Sequence, residues 1–191
     1  REGLDSPDLG ISFNPYLIAD GTKLDTERGF TMVFHVLRSD SKGSIHATSS
    51  DPKIPPAINF NFLSDEGDRT TLLAGMRIVR NWVNAPAMDT FRGDEIGPGE
   101  GVQDDEALLE WVRNTAETTY HPVGTCKMGS DPMAVVDNQL RVHGLQGLRV
   151  ADASIMPTLT SGNTNAPSIM IGEKAATLIL GDAVTMEDKA A

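Results

Sequence analysis

Five side chains in the carboxyl-terminal half have types suited to moving protons or recognising polar ligands: His121 and Cys126 in "YHPVGTCKMG", Asp152 in "LRVADAS", and Asn163 and Asn165 in "TSGNTNAPS". An imidazole titrates near pH ~6.5 and is the usual group for proton transfer at neutral pH. Pro122 and Gly124 would hold the backbone around His121 in a fixed extended turn. Two readings stay open for it, a proton carrier or a buried histidine satisfied by a backbone carbonyl. Asn163 and Asn165 stand just before an expected helix start, where backbone N–H groups point outward and attract polar ligand edges. Either could instead simply cap that helix. Asp152 reads equally as a turn former or a ligand contact. Cys126 reads as a structural cysteine, since its spacing from His121 does not establish a thiol–imidazole pair.

These residues need elements to position them. The first sixty residues alternate short apolar runs ("GISFNP", "GFTMVFHVLRS", "KGSIHATSS", "PPAINFNFL") with turn residues. Phe30, Met32, Phe34 and Val36 have the period-two spacing of a half-buried strand, so this part is expected to form an antiparallel sheet. His35 and His46 read as strand histidines on a solvated face. From Ser64 the period becomes helical. Ser64 or Asp65 can cap a helix carrying Leu72, Met76, Val79 and Val83, which Pro86 ends. Asp104 or Asp105 starts a second helix with Leu108, Trp111 and Val112 on one face.

The loop between these helices, "GDEIGPGEGV", does not fit a phosphate cradle. Gly97, Gly99 and Gly101 follow a helix rather than a strand, have the wrong spacing and enclose Glu100. A flexible surface loop is expected there. Downstream, "GLRVADAS" reads as a short buried strand running into a turn. "APSIMIGEKAATLILG" reads as a helix with Pro167 in its first turn, an apolar surface of Ala166, Ile169, Met170, Ala176 and Ile179, and an end at Gly181. Gly172 in its middle costs about 1 kcal/mol against alanine and is expected to mark a close approach to the backbone.

Composition narrows the function classes. The 191 residues suit one domain, or one domain plus an excursion. The excess of 27 Asp plus Glu over 16 Lys plus Arg, net charge -11, repels nucleic acid and anionic membranes. One cysteine permits no internal disulfide and no cysteine-rich metal site, which fits a reducing, cytoplasmic setting. No apolar run reaches the ~18 residues of a membrane span. No metal site is expected, because His121, His143 and the acidic residues do not form a recognised ligand spacing. The chain opens on Arg1 and is expected to be a fragment or a processed piece.

The stretch "HPVGTCKMG", followed by "VVDNQLRVHGLQGLRVADASIMPTLTSGNTNAPSIMIGEKAA", resembles the carboxyl-terminal part of the glucose-methanol-choline (GMC) family of flavin-dependent alcohol oxidoreductases, in its choline dehydrogenase-like branch. "KGSIHATSSDPKIPPAINFNFLSDEGD" is similar to that family's substrate-domain segment, so the likeness runs from about Gly29 to Gly181. The resemblance implies that His121 takes the hydroxyl proton of an alcohol while hydride passes to flavin N5. It implies that Asn163 hydrogen-bonds the substrate oxygen, and that Asp152, Ala153, Thr164 and Asn165 contact FAD. The helix beginning near Ala166 would aim its positive end at the flavin ring.

The departure from the family lies in what the sequence lacks: the strand, Gly-x-Gly-x-x-Gly turn and helix that hold an adenine dinucleotide. A smaller one is "LRSDSKG", where the family tends to have Pro and Arg. The expected fold is therefore α+β: a substrate-domain antiparallel sheet flanked by helices, plus the last strand and helix of an otherwise absent FAD-binding domain. Residues 1–120 are assigned to the substrate-binding part, 121–181 to the active-site segment and the flavin-domain piece, and 182–191 to a polar tail. FAD would belong to the full-length parent and not to this fragment, which alone should not catalyse. Its expected partners are a small alcohol and the missing amino-terminal half, with exposed apolar surface favouring self-association. The alternative is a free-standing binding domain that kept the fold and lost the flavin half.

Overall fold

The computed structural model describes residues 3–20 and 23–190, which form two compact units. The first unit comprises Arg1–Gly43 and Phe60–Thr119, and the second comprises Ser44–Asn59 and Tyr120–Ala191.

In the first unit, β1 (Leu9–Asn14) and β4 (Thr31–Val36) pair antiparallel from Leu9 opposite Val36 to Asn14 opposite Thr31. β2 (Ile18–Asp20) and β3 (Lys23–Leu24) form a second ladder between them in the chain. An isolated two-stranded ladder is marginal in water, so β1 and β4 depend on a cover. Helix α1 (Glu66–Val83) supplies it and buries Thr71, Gly75, Met76 and Val79. Gly75 lets the helix come close: a Cβ there would lie 2.8 Å from Phe34 and 3.0 Å from Leu9.

Both helix starts obey the capping logic of the sequence. The Asp65 carboxylate accepts from the Gly67 amide at 2.7 Å, and Asp104 caps α2 (Asp105–Thr115) by accepting from Ala107 at 2.9 Å. Helix α2 lies against α1 and buries Leu108 and Val112.

In the second unit, β5 (Ser44–His46) and β6 (Ala57–Asn59) form an exposed hairpin. The core consists of Val136, Leu140, Ile155, Met156, Ile171 and Ala175, the last two from helix α3 (Asn165–Ala190). Around Val136 the chain is held by single bridges to Met128 and Val142 rather than by long strands. The Asp137 carboxylate organises this turn by accepting from the Gln139 and Arg141 amides at 2.8 and 2.9 Å. Those bonds hold its carboxyl below the ordinary range, the Arg141 amide contributing most.

Five expectations need correction. The single antiparallel sheet is three separate two-stranded ladders among the described residues, with strands two to six residues long whose partners are set by tertiary packing. The expected strand in "GLRVADAS" forms one bridge, Arg149 to Arg141, before the chain leaves for a 3-10 turn at Ala153–Ile155. Helix α3 does not stop at Gly181 but continues to Ala190, where a polar tail was expected. Gly181 keeps a negative φ, so its cost of about 1 kcal/mol weakens the helix without ending it. Ala191 lies outside the described residues. His35 is half-buried, its ring so close to Gly10 that a Cβ there would sit 2.7 Å from it, whereas His46 is exposed as expected. Gly172 is exposed, with open space where a Cβ would stand, so none of the described residues of this chain makes the close approach expected there.

Candidate active site

The segment carrying His121 begins with a backbone irregularity. Tyr120 adopts φ 59°, a left-handed conformation uncommon for an aromatic residue, and Gly124 adopts φ 90°. Between these two turns the chain is redirected, and His121 is left half-buried. The segment is then tied to the core: the Cys126 amide donates to the Ser154 carbonyl at 3.0 Å and the Met128 amide to Ile155 at 2.8 Å. Ile155 and Met156 are core residues, so the His121 loop rests on a fixed floor.

The start of α3 supplies the second wall. The Thr164 carbonyl accepts from the Ser168 amide at 3.0 Å and from the Ser168 hydroxyl at 2.6 Å, which anchors Thr164 to the first turn. Asn163, one residue earlier, is exposed. Its Nδ2 lies 2.7 Å from His121 Nε2, while the Thr164 hydroxyl oxygen lies 2.9 Å from His121 Nδ1.

These contacts define proton positions on the ring. An amide NH2 can only donate, so His121 Nε2 presents its lone pair to Asn163. In the neutral imidazole the proton then resides on Nδ1 and is donated to Thr164 Oγ1. The Thr164 backbone amide, 3.5 Å from Nδ1, is at the long limit of hydrogen bonding, and the shorter hydroxyl contact governs the ring. The arrangement offers a lone pair and an N–H donor within one oxygen's reach of each other.

Asp152 is exposed and caps the 3-10 turn, its Oδ1 accepting from the Ser154 amide at 2.8 Å. Hydrogen bonds from the Ser154 side chain and backbone hold its carboxyl below the ordinary range, so it is anionic at neutral pH. Ala153 packs half-buried against the core. Asn165 is exposed as the first residue of α3. Of the residues singled out in the sequence, His121, Asn163 and Thr164 are joined directly by side-chain bonds. Asp152 and Ala153 lie at the 3-10 turn to which the His121 segment is bonded.

Cys126 is half-buried, and no bond joins its thiol to His121 among the described residues. His143 donates from Nε2 to the Gly129 carbonyl at 3.0 Å. No group of three metal-ligating side chains occurs among the described residues. A groove of about 640 Å³ in the first unit is lined by Phe13, Phe30, Met32, Trp82, Met88 and Phe91 among others. Those side chains carry no acid or base and cannot move a proton, whereas the His121 imidazole can.

Sequence reasoning did not foresee the Thr164 hydroxyl on the imidazole or the left-handed Tyr120. The first had a partial signal in Pro167, which removes one of the two amides that a capping threonine can bind. The second had none, since tyrosine has no preference for that conformation.

The family model described as GMC oxidoreductase matches residues 39–172. The chain is 51% identical to oxygen-dependent choline dehydrogenase from Cronobacter sakazakii over 95% of its own length and 33% of that protein's. It thus spans about a third of the length of that curated relative. Among solved structures, pyridoxine 4-oxidase from Mesorbium loti superposes with TM-score 0.82 and 26% identity, over 90% of this chain and 34% of that one. An FAD-dependent oxidoreductase from Chaetomium thermophilum does so with TM-score 0.75 and 29% identity, over 81% and 27% respectively. The chain belongs to the GMC oxidoreductase family.

Proposed function

We propose that this chain forms the proton-accepting side of the active site in a longer FAD-dependent alcohol oxidoreductase, with His121 as the base and Asn163 as the donor to the substrate oxygen. The observation that carries this reading is the 2.7 Å approach of Asn163 Nδ2 to His121 Nε2. An alcohol gives up the hydrogen on its carbon readily only when its oxygen becomes alkoxide-like, so a base and a donor must meet at that oxygen. A hydroxyl entering between the two groups donates to Nε2 and accepts from Nδ2, replacing one bond with two. As the proton moves to Nε2, the amide steadies the negative charge left on oxygen.

The residues present fit a flavin in their donor and acceptor types. Thr160 Oγ1 is buried without a hydrogen-bond partner among the described residues, and it lies three positions before Asn163. A buried hydroxyl in that condition suits a polar ligand edge. The exposed amide of Asn165 and the first turn of α3 offer donors to a carbonyl-rich ring edge. The anionic Asp152 can accept from a sugar hydroxyl and would repel a phosphate, so the phosphates of FAD are assigned to residues outside this chain. When bound, the flavin supplies the acceptor for the hydride leaving the substrate carbon. The FAD-dependent relative from Chaetomium thermophilum supports this assignment.

The substrate is a small alcohol, and the identity with a choline dehydrogenase makes choline the first to try. Within this proposal residues 1–120 belong to the substrate side and 121–181 to the flavin side. The exposed Ile169, Met170, Ile179 and Leu180 on α3 are the apolar surface by which the isolated chain would self-associate. Sedimentation of the isolated chain should show oligomers that Ile169→Glu reduces.

The test is anaerobic addition of choline and other small alcohols to the purified longer polypeptide. Bleaching of a flavin absorbance band supports the proposal, and a colourless protein or an alcohol-insensitive flavin overturns it.

A further inference from the structure

We infer that Thr164 is a positioning residue whose hydroxyl holds the orientation of His121 and steadies its Nδ1–H tautomer, beyond any backbone contact it makes with a cofactor. The inference rests on the reading of His121 as the base. Thr164 immediately precedes α3, and its carbonyl accepts the first intrahelical bond, from the Ser168 amide at 3.0 Å. It is therefore the capping residue of that helix. A capping hydroxyl ordinarily accepts from the second or third helical amide. Here the third helical residue is Pro167, which has no amide hydrogen.

That leaves one capping amide, Ala166, in place of two, and the Thr164 hydroxyl lies 2.9 Å from His121 Nδ1. Three features make this contact a directing one. Thr164 is only 8% exposed, so water does not compete freely for Nδ1. Its backbone is clamped by Ser168, and its β-branched side chain has few rotamers. The opposite ring nitrogen faces the donor-only amide of Asn163 at 2.7 Å, which calls for the Nδ1–H tautomer, and the Thr164 hydroxyl can accept from that N–H.

With Nδ1–H held by Thr164, the Nε2 lone pair points to where an alcohol proton must be taken. When Nε2 gains that proton, the imidazolium keeps an acceptor for its other N–H. The acceptor is neutral rather than a carboxylate, so the expected contribution to rate is roughly tenfold rather than thousands.

The test uses the longer flavin-bound protein and three variants: Thr164→Val, which keeps the shape and loses the hydroxyl, Thr164→Ser, which restores it, and His121→Ala. Flavin content, the pH dependence of anaerobic flavin reduction by alcohol, and the ¹⁵N signals of labelled histidine are measured. Thr164→Val is expected to keep its flavin and reduce it roughly tenfold more slowly. Loss of the Nδ1–H acceptor disfavours the imidazolium that forms when Nε2 takes the proton. Because the base must be neutral, the acidic limb of the rate profile then moves to lower pH. The His121 ¹⁵N signals should shift towards mixed tautomers, and Thr164→Ser should reverse all three effects.

Wild-type rate, pH limb and ¹⁵N signals in Thr164→Val overturn the inference, and so does loss of flavin with the His121 tautomer unchanged. If His121→Ala reduces its flavin at the wild-type rate, the base assignment fails instead. The ¹⁵N signals of Thr164→Val then still decide whether Thr164 orients the ring.

Discussion

Asn163 Nδ2 meets His121 Nε2 at 2.7 Å across 42 residues of sequence. A neutral amide beside the imidazole leaves it free to stay uncharged, which the proposed role as proton acceptor requires. A carboxylate in the same place would stabilise the imidazolium instead.

Two substitutions at Asn163 separate these roles. Asn163→Ala removes the donor to the developing alkoxide and is expected to slow flavin reduction roughly 10²-fold. Asn163→Asp also removes the donor, but its carboxylate favours the imidazolium, so the acidic limb of the pH–rate profile should move to higher pH. Stopped-flow reduction across pH checks both. An unchanged limb in Asn163→Asp would mean that the two groups do not face each other in the working enzyme.

Asp68 is buried in α1 at 3% exposure and gathers three donors from the chain that follows β4. The Ser39 hydroxyl donates at 2.6 Å, and the Asp40 and Ser41 amides donate at 3.1 and 3.0 Å. Burial pushes its carboxyl up, but the hydrogen bonds from Ser39 and Ser41 and from the Asp40 amide outweigh it and hold the group below its ordinary value. A folded-state pKa below the unfolded one gives stability that is present above the unfolded value and lost as pH falls through the folded one. Asp68→Asn should therefore lower stability at neutral pH by about 1–3 kcal/mol and flatten the acid side of the stability curve. Urea midpoints at neutral and acid pH check this, the two proteins converging in acid.

Arg80 holds the glycine-rich loop that sequence alone suggested would be flexible. Its guanidinium reaches Glu95 at 2.8 Å, the Val102 carbonyl at 2.9 Å and the Gly99 carbonyl at 3.2 Å. The Arg80 and Glu95 side chains are 14% and 26% exposed, so the pair is largely shielded from solvent. Arg80→Ala leaves a half-buried carboxylate unpaired and is expected to cost roughly 2–4 kcal/mol. Arg80→Lys should recover only part, because an ammonium lacks the planar fork. Thermal denaturation, with limited proteolysis of residues 93–103, measures the stability and the loop separately.

The same loop shows what was hidden from a linear reading. Its glycines were visible, but the arginine that tethers them lies a helix away and carries no local mark. Elements governed by local chemistry were legible: β1, β4, β5 and β6 arise where apolar runs are broken by turn residues, and Asp65 and Asp104 cap α1 and α2. Elements governed by neighbours were not. The ladders stay separate because ladder partners are set by tertiary packing, and α3 passes Gly181 because a glycine with negative φ does not end a helix. At the site, the pairing of His121 with Asn163 was legible only through resemblance, since nothing in their spacing brings them together. Thr164 was expected to contact the cofactor, and the bond between its hydroxyl and the imidazole emerged only once α3 placed it there.

The role of His121 is tested most directly by anaerobic reduction of the flavin in the longer polypeptide carrying His121→Ala, with choline as the first alcohol. The expected result is a protein that retains its flavin and reduces it roughly 10²–10⁴-fold more slowly than wild type. Reduction at the wild-type rate would contradict the assignment of His121 as the group that takes the alcohol proton.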